Sequence, residues 1–254
     1  MFDIKNDGVF LTVNELMTYL DGIDVITNPL TIFKMHFDVK LFIECVKQSN
    51  HIKIAPSTDG VISHVQDNDI ANALDHSSSS KYFGWHIDGQ YLARVPEIVL
   101  LYCIDPGNQN IKTIFADSYS LIKILRRREL LDTAKEFDFI YRKQNEGKDY
   151  RLSLINKHPI TGDEVIFVGD YSPVIKLVPK IDSNKTLQDA KDFHSILADM
   201  VSNELHYKVV EWESGQMIVF DNIRLLHGRG EPEGKYKNRK DPARHLLRIW
   251  LNRI

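Results

Sequence analysis

The chain has 254 residues, 43% hydrophobic, 10% aromatic and 26% charged, a composition that suits a globular core and excludes fibrous, disordered and disulfide-scaffold proteins. A formal charge of -3 gives no reason to expect nucleic acid or an anionic membrane as a partner. The longest apolar run, Ile98–Ile104, is too short to cross a bilayer, Met1–Asp7 lacks the apolar block of a secretion signal, and two cysteines suit a reducing compartment, so a cytoplasmic location is expected.

Thr12-Val13-Asn14-Glu15 has the spacing of a capping box, and Leu16, Met17 and Leu20 follow at helical intervals, which predicts a helix over 13–21. Asp38 is placed to cap a second helix with Leu41, Phe42, Cys45 and Val46 on one face. Residues 57–81 are polar and end in a serine run at 77–80, the pattern of a mobile loop and a candidate lid. Tyr82–Asp88 reads as extended, Glu97–Ile104 as a buried strand bounded by Pro96 and Asp105-Pro106-Gly107, and Lys112–Phe115 as a short strand. A helix is expected over 118–135, then strands at 137–142, 151–156 and 164–168, the last two separated by the turn Thr161-Gly162-Asp163. The clearest helical stripe lies at 185–204, and strands follow at 207–212, 216–220 and 245–251. Many short strands with few helices, no βαβ rhythm, no repeat and no linker predict one domain over 1–254, either α+β or a mainly antiparallel double sheet.

Nucleotide-binding loops, a nucleophile elbow and H-E-x-x-H are all absent. Cys103 lies within the strand predicted at 97–104, where a small apolar role is expected. Arg126-Arg127-Arg128 and the basic stretch 235–240 are expected on solvated surface. A His and an Asp two residues apart on an extended segment share a face and can reach one metal ion. The pattern occurs twice, at His36-Phe37-Asp38 and His86-Ile87-Asp88. Asp38 is wanted as a helix cap, whereas His86 and Asp88 precede Gly89 and a buried strand. His227 follows the strand 216–220 and is a candidate third ligand. Arg244 and Arg248, four apart in an apolar strand, share a face with Leu246 between them. Buried guanidiniums need an anionic partner, which is either an internal carboxylate or a ligand carboxylate.

Trp85-His86-Ile87-Asp88-Gly89, the stretch Pro96–Asp117, Phe220–Arg229 and Arg244–Arg248 together resemble, in order, the blocks of the Fe(II)/2-oxoglutarate-dependent dioxygenases of the TauD/TfdA, clavaminate-synthase-like family. The resemblance covers residues 85–251. It implies a mainly β fold with flanking helices, the double-stranded β-helix or distorted jelly roll. It implies that His86, Asp88 and His227 are the iron ligands and the catalytic centre, with O2 and 2-oxoglutarate as co-substrates. It implies that Thr113 and Arg244 hold 2-oxoglutarate, with Arg248 supporting it or touching the primary substrate. Gln90, Tyr91, Tyr102, Phe115 and Arg248 are the candidate substrate-pocket residues. The activity expected is hydroxylation or desaturation of an unactivated C–H bond in a small carboxylate-bearing molecule, an amino acid or a derivative of one, with release of succinate and CO2. The presence of Asp88 argues against halogenation. Three other readings stay open: an iron oxygenase acting on protein, a cupin-like metal protein that does not use 2-oxoglutarate, and a non-catalytic jelly-roll binding module.

Overall fold

The structure is a computed structural model that describes residues 5–22, 27–56, 60–66, 83–90, 92, 94–107, 111–143, 148–168, 175–230 and 244–254. The N-terminal part comprises β1 (Lys5–Leu11), α1 (Val13–Asp21), β2 (Leu30–Met35), α2 (Val39–Gln48), β3 (Ile52–Ile54) and β4 (Ser63–Gln66). The middle holds β5 (Phe83–His86), β6 (Ile98–Asp105), β7 (Thr113–Asp117), α3 (Ser118–Arg127), α4 (Leu131–Lys135), β8 (Phe137–Lys143), β9 (Lys148–Ser153), β10 (Ile155–Lys157), β11 (Glu164–Ile166) and β12 (Ile175–Pro179). After α5 (Leu187–Asn203) come β13 (Tyr207–Val210), β14 (Gln216–Asp221), β15 (Leu225–Arg229) and β16 (His245–Arg253). No helix among the described residues is long and apolar enough to cross a membrane.

Two sheets make the roll. The larger runs β1-β2-β14-β6-β16-β3, with β4 sharing the β3 side of β16, and the smaller runs β13-β7-β15-β5. Their inner faces meet in a core that includes Val99, Leu101, Ile218, Phe220 and Trp250 from one sheet and Phe115, Val210 and Leu225 from the other. Phe115 and Phe220 cross edge-on at 5.0 Å. The double-stranded β-helix expected from the resemblance is therefore the architecture that forms. A second core packs α1 and α2 on the outer face of the larger sheet, and a third packs α3, α4 and α5 around the smaller sheet and the sheet β12-β8-β9.

Local chemistry explains the helices. Thr12 and Glu15 form a reciprocal capping box at α1, Thr186 and Asp189 do the same at α5, and Asp38 Oδ1 accepts from Leu41 N at 3.0 Å to start α2. His36 is exposed, so the first His-x-Asp pair is a helix entrance. On α2 the buried face is carried by Phe42 and Val46, each contributing about 2 kcal/mol by burial, whereas Leu41 is 44% exposed and does not join it. The helix expected over 118–135 is broken: Glu129 takes φ +57°, a left-handed conformation that ends the first piece. The strand expected over 151–156 is likewise two, β9 and β10, split at the fully buried Leu154. Arg126, Arg127 and Arg128 are exposed but pair with Glu164 and Glu204, contacts worth under about 1 kcal/mol each.

Two features were not expected. β1 and β2 pair in parallel with α1 between them, a β–α–β unit, whereas every other pairing among the described strands is antiparallel. His227 stands inside a strand, β15, in register with His86 on one side and Phe115 on the other. The serine run at 77–80 and the basic stretch 235–240 lie outside the described residues, as does Tyr91.

Candidate metal centre and its carboxylate pocket

β5 and β15 are neighbours at one end of the smaller sheet, so His86 and His227 face each other across one register pair, their rings 4.2 Å apart. Beyond His86 the chain leaves β5 and turns at Gly89, whose φ is +65° and where a Cβ would come within 2.6 Å of Pro96 Cδ. Only glycine makes that turn without strain. Asp88, immediately before that turn, places Oδ1 3.8 Å from Nε2 of each ring. The donor atoms of all three residues lie within 4.8 Å of one another, and all three side chains are buried.

Electrostatics prepares this cluster for a cation. His86 Nδ1 bonds the Gly84 carbonyl at 2.9 Å. A carbonyl only accepts, so Nδ1 carries the proton and Nε2 is left with its lone pair towards Asp88. Burial, then the His227 ring, holds His86 well below the ordinary histidine range, which keeps it neutral. Burial would raise Asp88, but the Arg248 guanidinium and the two rings outweigh it and hold the carboxyl well below the usual range. His227 is oriented by ring packing, 4.9 Å from Phe220 and 6.1 Å from Phe115. Two imidazoles and one carboxylate fit a ferrous ion.

The backbone of Asp88 is fixed by Asn222. Asp88 N donates to Asn222 Oδ1 at 2.9 Å, and Asn222 Nδ2 donates to the carbonyls of Asp88 (2.9 Å) and Pro96 (2.8 Å). The Asp88 carboxylate accepts from Arg248 Nη1 on Oδ1 at 3.1 Å and from Trp250 Nε1 on Oδ2 at 3.0 Å.

A cavity of about 430 Å³, counted with its open mouth, runs from these donors between the sheets. At its other end Arg244 Nη1 donates to Thr113 Oγ1 at 3.0 Å and to the Ile111 carbonyl at 3.2 Å, and Trp212 Nε1 donates to the same Thr113 oxygen at 2.9 Å. With two N–H groups donating to it, the Thr113 hydroxyl has its own proton left to give to an acceptor. Burial, then the positive charge of Arg229 on β15, pushes Arg244 down to about 9. Val65, Leu101 and Leu246 make apolar wall between the two ends.

Of the residues expected from the sequence, His86, Asp88, His227, Thr113, Arg244 and Arg248 all line this cavity. Tyr102 does not. Strand alternation on β6 turns Leu101 to the cavity and Tyr102 to the outer core, 5.3 Å from Phe37. Phe115 is fully buried between the sheets, packed under His227 rather than lining the cavity. Gln90 is buried beside the Gly89 turn and does not line the cavity. Cys103 is buried in β6, and burial pushes its thiol up to about 12, which makes it inert. Asn222, Trp212 and Trp250 had escaped the sequence reading. The chain has three tryptophans, and a buried indole N–H needs an acceptor. Trp250, two residues after Arg248 on the same strand face, was the available clue.

A family model described as "Taurine catabolism dioxygenase TauD, TfdA family" matches residues 21–250. A tyrosine isonitrile desaturase of Pseudomonas aeruginosa is 23% identical over 199 residues, 71% of this chain and 62% of the relative. A tyrosine isonitrile desaturase of Erwinia amylovora is 27% identical over 195 residues, 72% of this chain and 63% of the relative. The matched segment thus spans less than two thirds of either curated relative. The structure of PvcB, described as an Fe, alpha-ketoglutarate dependent oxygenase from an isonitrile synthetic pathway, superposes with a TM-score of 0.66 at 17% identity, covering 97% of this chain and 81% of that one.

Proposed function

The chain belongs to the TauD, TfdA family, and from that premise we propose that it is an Fe(II)- and 2-oxoglutarate-dependent oxygenase acting on a C–H bond of a small, carboxylate-bearing, amino-acid-derived substrate. The observation that carries this reading is the shared cavity: a buried His–Asp–His donor set at one end and a Thr113–Arg244 carboxylate grip at the other.

His86, His227 and Asp88 would hold ferrous iron, the imidazoles through nitrogen and the carboxylate through oxygen. When bound there, the iron with O2 and 2-oxoglutarate supplies the oxidising chemistry and leaves succinate and CO2. Arg244 and the Thr113 hydroxyl bind the far carboxylate of 2-oxoglutarate, the guanidinium offering parallel N–H donors. Val65, Leu101 and Leu246 offer an apolar wall to the 2-oxoglutarate chain. Arg248, beside Asp88, receives the substrate carboxylate. The two isonitrile desaturases among the relatives support desaturation as the outcome alongside hydroxylation. The whole is one catalytic domain.

The test is an anaerobic titration with Fe(II) and 2-oxoglutarate, followed by the visible charge-transfer band of the chelated keto acid. The band is expected in wild type and absent in Asp88→Ala, and Arg244→Ala needs far more 2-oxoglutarate. Folded, iron-loaded wild type without a band would rule out 2-oxoglutarate. With the band established, succinate release is the screen for amino-acid substrates.

A further inference from the structure

We propose that Trp250 is a positioning residue that ties one Asp88 oxygen away from the metal and so keeps the carboxylate a single-oxygen ligand. The proposal rests on the iron reading above. The two carboxylate oxygens have different surroundings. Oδ1 lies on the side of the imidazoles, 3.8 Å from each Nε2, while Oδ2 accepts the Trp250 indole N–H at 3.0 Å. An indole nitrogen only donates. Trp250 is 3% exposed, so turning Oδ2 towards the imidazoles would leave a buried N–H without an acceptor.

The consequence is a matter of coordination positions. A carboxylate offering both oxygens takes one more position than a carboxylate offering one. That additional position is needed by a chelating keto acid together with O2.

The same ring has a second task. Arg248 and Trp250 are two apart on β16, so they share a face, and Arg248 Cζ sits 4.7 Å from the Trp250 ring centroid. Arg248 Nη1 reaches Asp88 Oδ1 from this seat. One indole therefore fixes the ligand carboxylate through its edge and the Arg248 guanidinium through its face. Phenylalanine at this position would keep the seat for Arg248 and lose the hydrogen bond, which separates the two tasks.

The experiment compares wild type with Trp250→Phe as Co(II)-substituted protein and as anaerobic Fe(II) protein titrated with 2-oxoglutarate. The expected result is an altered Co(II) visible spectrum and at least a tenfold rise in half-saturating 2-oxoglutarate, in the range typical for loss of a partner to a metal ligand. A role in packing alone would lower Tm and move neither readout. A folded Trp250→Phe protein with the wild-type Co(II) spectrum and the wild-type half-saturation overturns the proposal. Failure of the iron reading shows differently: wild type itself gives no band with 2-oxoglutarate, while its Co(II) spectrum still reports on Asp88. Should Trp250→Phe not fold, wild-type protein labelled with 15N-tryptophan replaces it. The Trp250 indole N–H resonance, assigned with the Trp85→Phe and Trp212→Phe variants, is expected to shift on Zn(II) loading, and an unmoved resonance overturns the proposal.

Discussion

Asn222 grips the backbone of Asp88 from both sides, accepting its N–H and donating to its carbonyl, each at 2.9 Å. A third bond to the Pro96 carbonyl joins that grip to the far end of the Gly89 turn. The turn that delivers one candidate metal ligand is thus held by a side chain from the strand connection that leads to another, His227. Asn222→Ala is expected to lower stability by about 2–4 kcal/mol, since it strands a buried N–H and two carbonyls. It should also weaken metal binding about 10–100-fold. Metal titration of the folded variant is the check; unchanged affinity would show that Asp88 is held by other means.

Burial, then the positive charge of Arg229, pushes Arg244 down to about 9, a setting in which bound negative charge is favourable. A dicarboxylate supplies that charge. Saturating 2-oxoglutarate, at about 100 times Kd, should add about 2.7 kcal/mol and raise Tm by about 5–10 °C for a chain of this size. Arg244→Lys keeps the charge but loses the forked grip, and its half-saturating 2-oxoglutarate should rise about 10–100-fold. Thermal scans with and without ligand read both effects, and an unshifted wild-type Tm would contradict the assignment of this end.

His158 and Asp221 form a buried pair, Nε2 to Oδ2 at 2.9 Å, each about 2% exposed. His158 Nδ1 accepts from Ile160 N and Thr161 N, and Asp221 Oδ1 accepts from Ile223 N and Arg224 N. The pair pins the loop after β10 to the turn between β14 and β15. His158→Phe fills the space and leaves Asp221 Oδ2 and two amides without their partner, so a loss of about 2–4 kcal/mol is expected in urea unfolding. A loss under 1 kcal/mol would mean that water replaces the ring.

Three carboxylates near the surface are held below their ordinary range and add to stability above it. Glu15 is lowered by the Thr12 backbone and side chain, Asp189 by the Thr186 side chain and backbone, and Glu164 by Lys135 and then Arg126. In each case the unfolded chain binds its proton at higher pH than the folded one. Their stabilisation is complete above the ordinary values of 4.5 for the glutamates and 3.8 for Asp189, and it is lost as pH falls through the lowered folded values. Glu164→Gln should make urea stability less dependent on pH between 5 and 3 than in wild type, and an unaltered slope would remove Glu164 from the account.

What could be read from the sequence follows the range of the interactions. Capping at Thr12–Glu15 and Asp38 is local, three residues from cap to partner, and both helices start where their spacing says. The family blocks, occurring in order, single out His86, Asp88, Thr113, His227 and Arg244, and the structure gathers these residues around one cavity. The pocket residues Tyr102 and Phe115 were misplaced because periodicity gives the two faces of a strand but not which one meets the cavity. Trp212, Trp250 and Asn222 act through hydrogen bonds to residues 99, 162 and 134 positions away, distances that no local pattern reports. The parallel pairing of β1 with β2 is equally non-local, and nothing in seven residues of β1 announces it.

β5 borders β15 alone among the described strands, with a register irregularity between His227 and Arg229, yet it delivers His86 and leads directly to Asp88. A strand held along one edge is the part of a sheet whose amides exchange first with solvent deuterium. An ion shared by β5 and β15 would close a loop of more than 100 residues, and in chain-entropy terms a crosslink of that span restrains the unfolded ensemble by roughly 4–5 kcal/mol. Occupancy of the centre would then be written in the exchange rates of four residues at the rim of the smaller sheet, slow when it is loaded and fast when it is stripped.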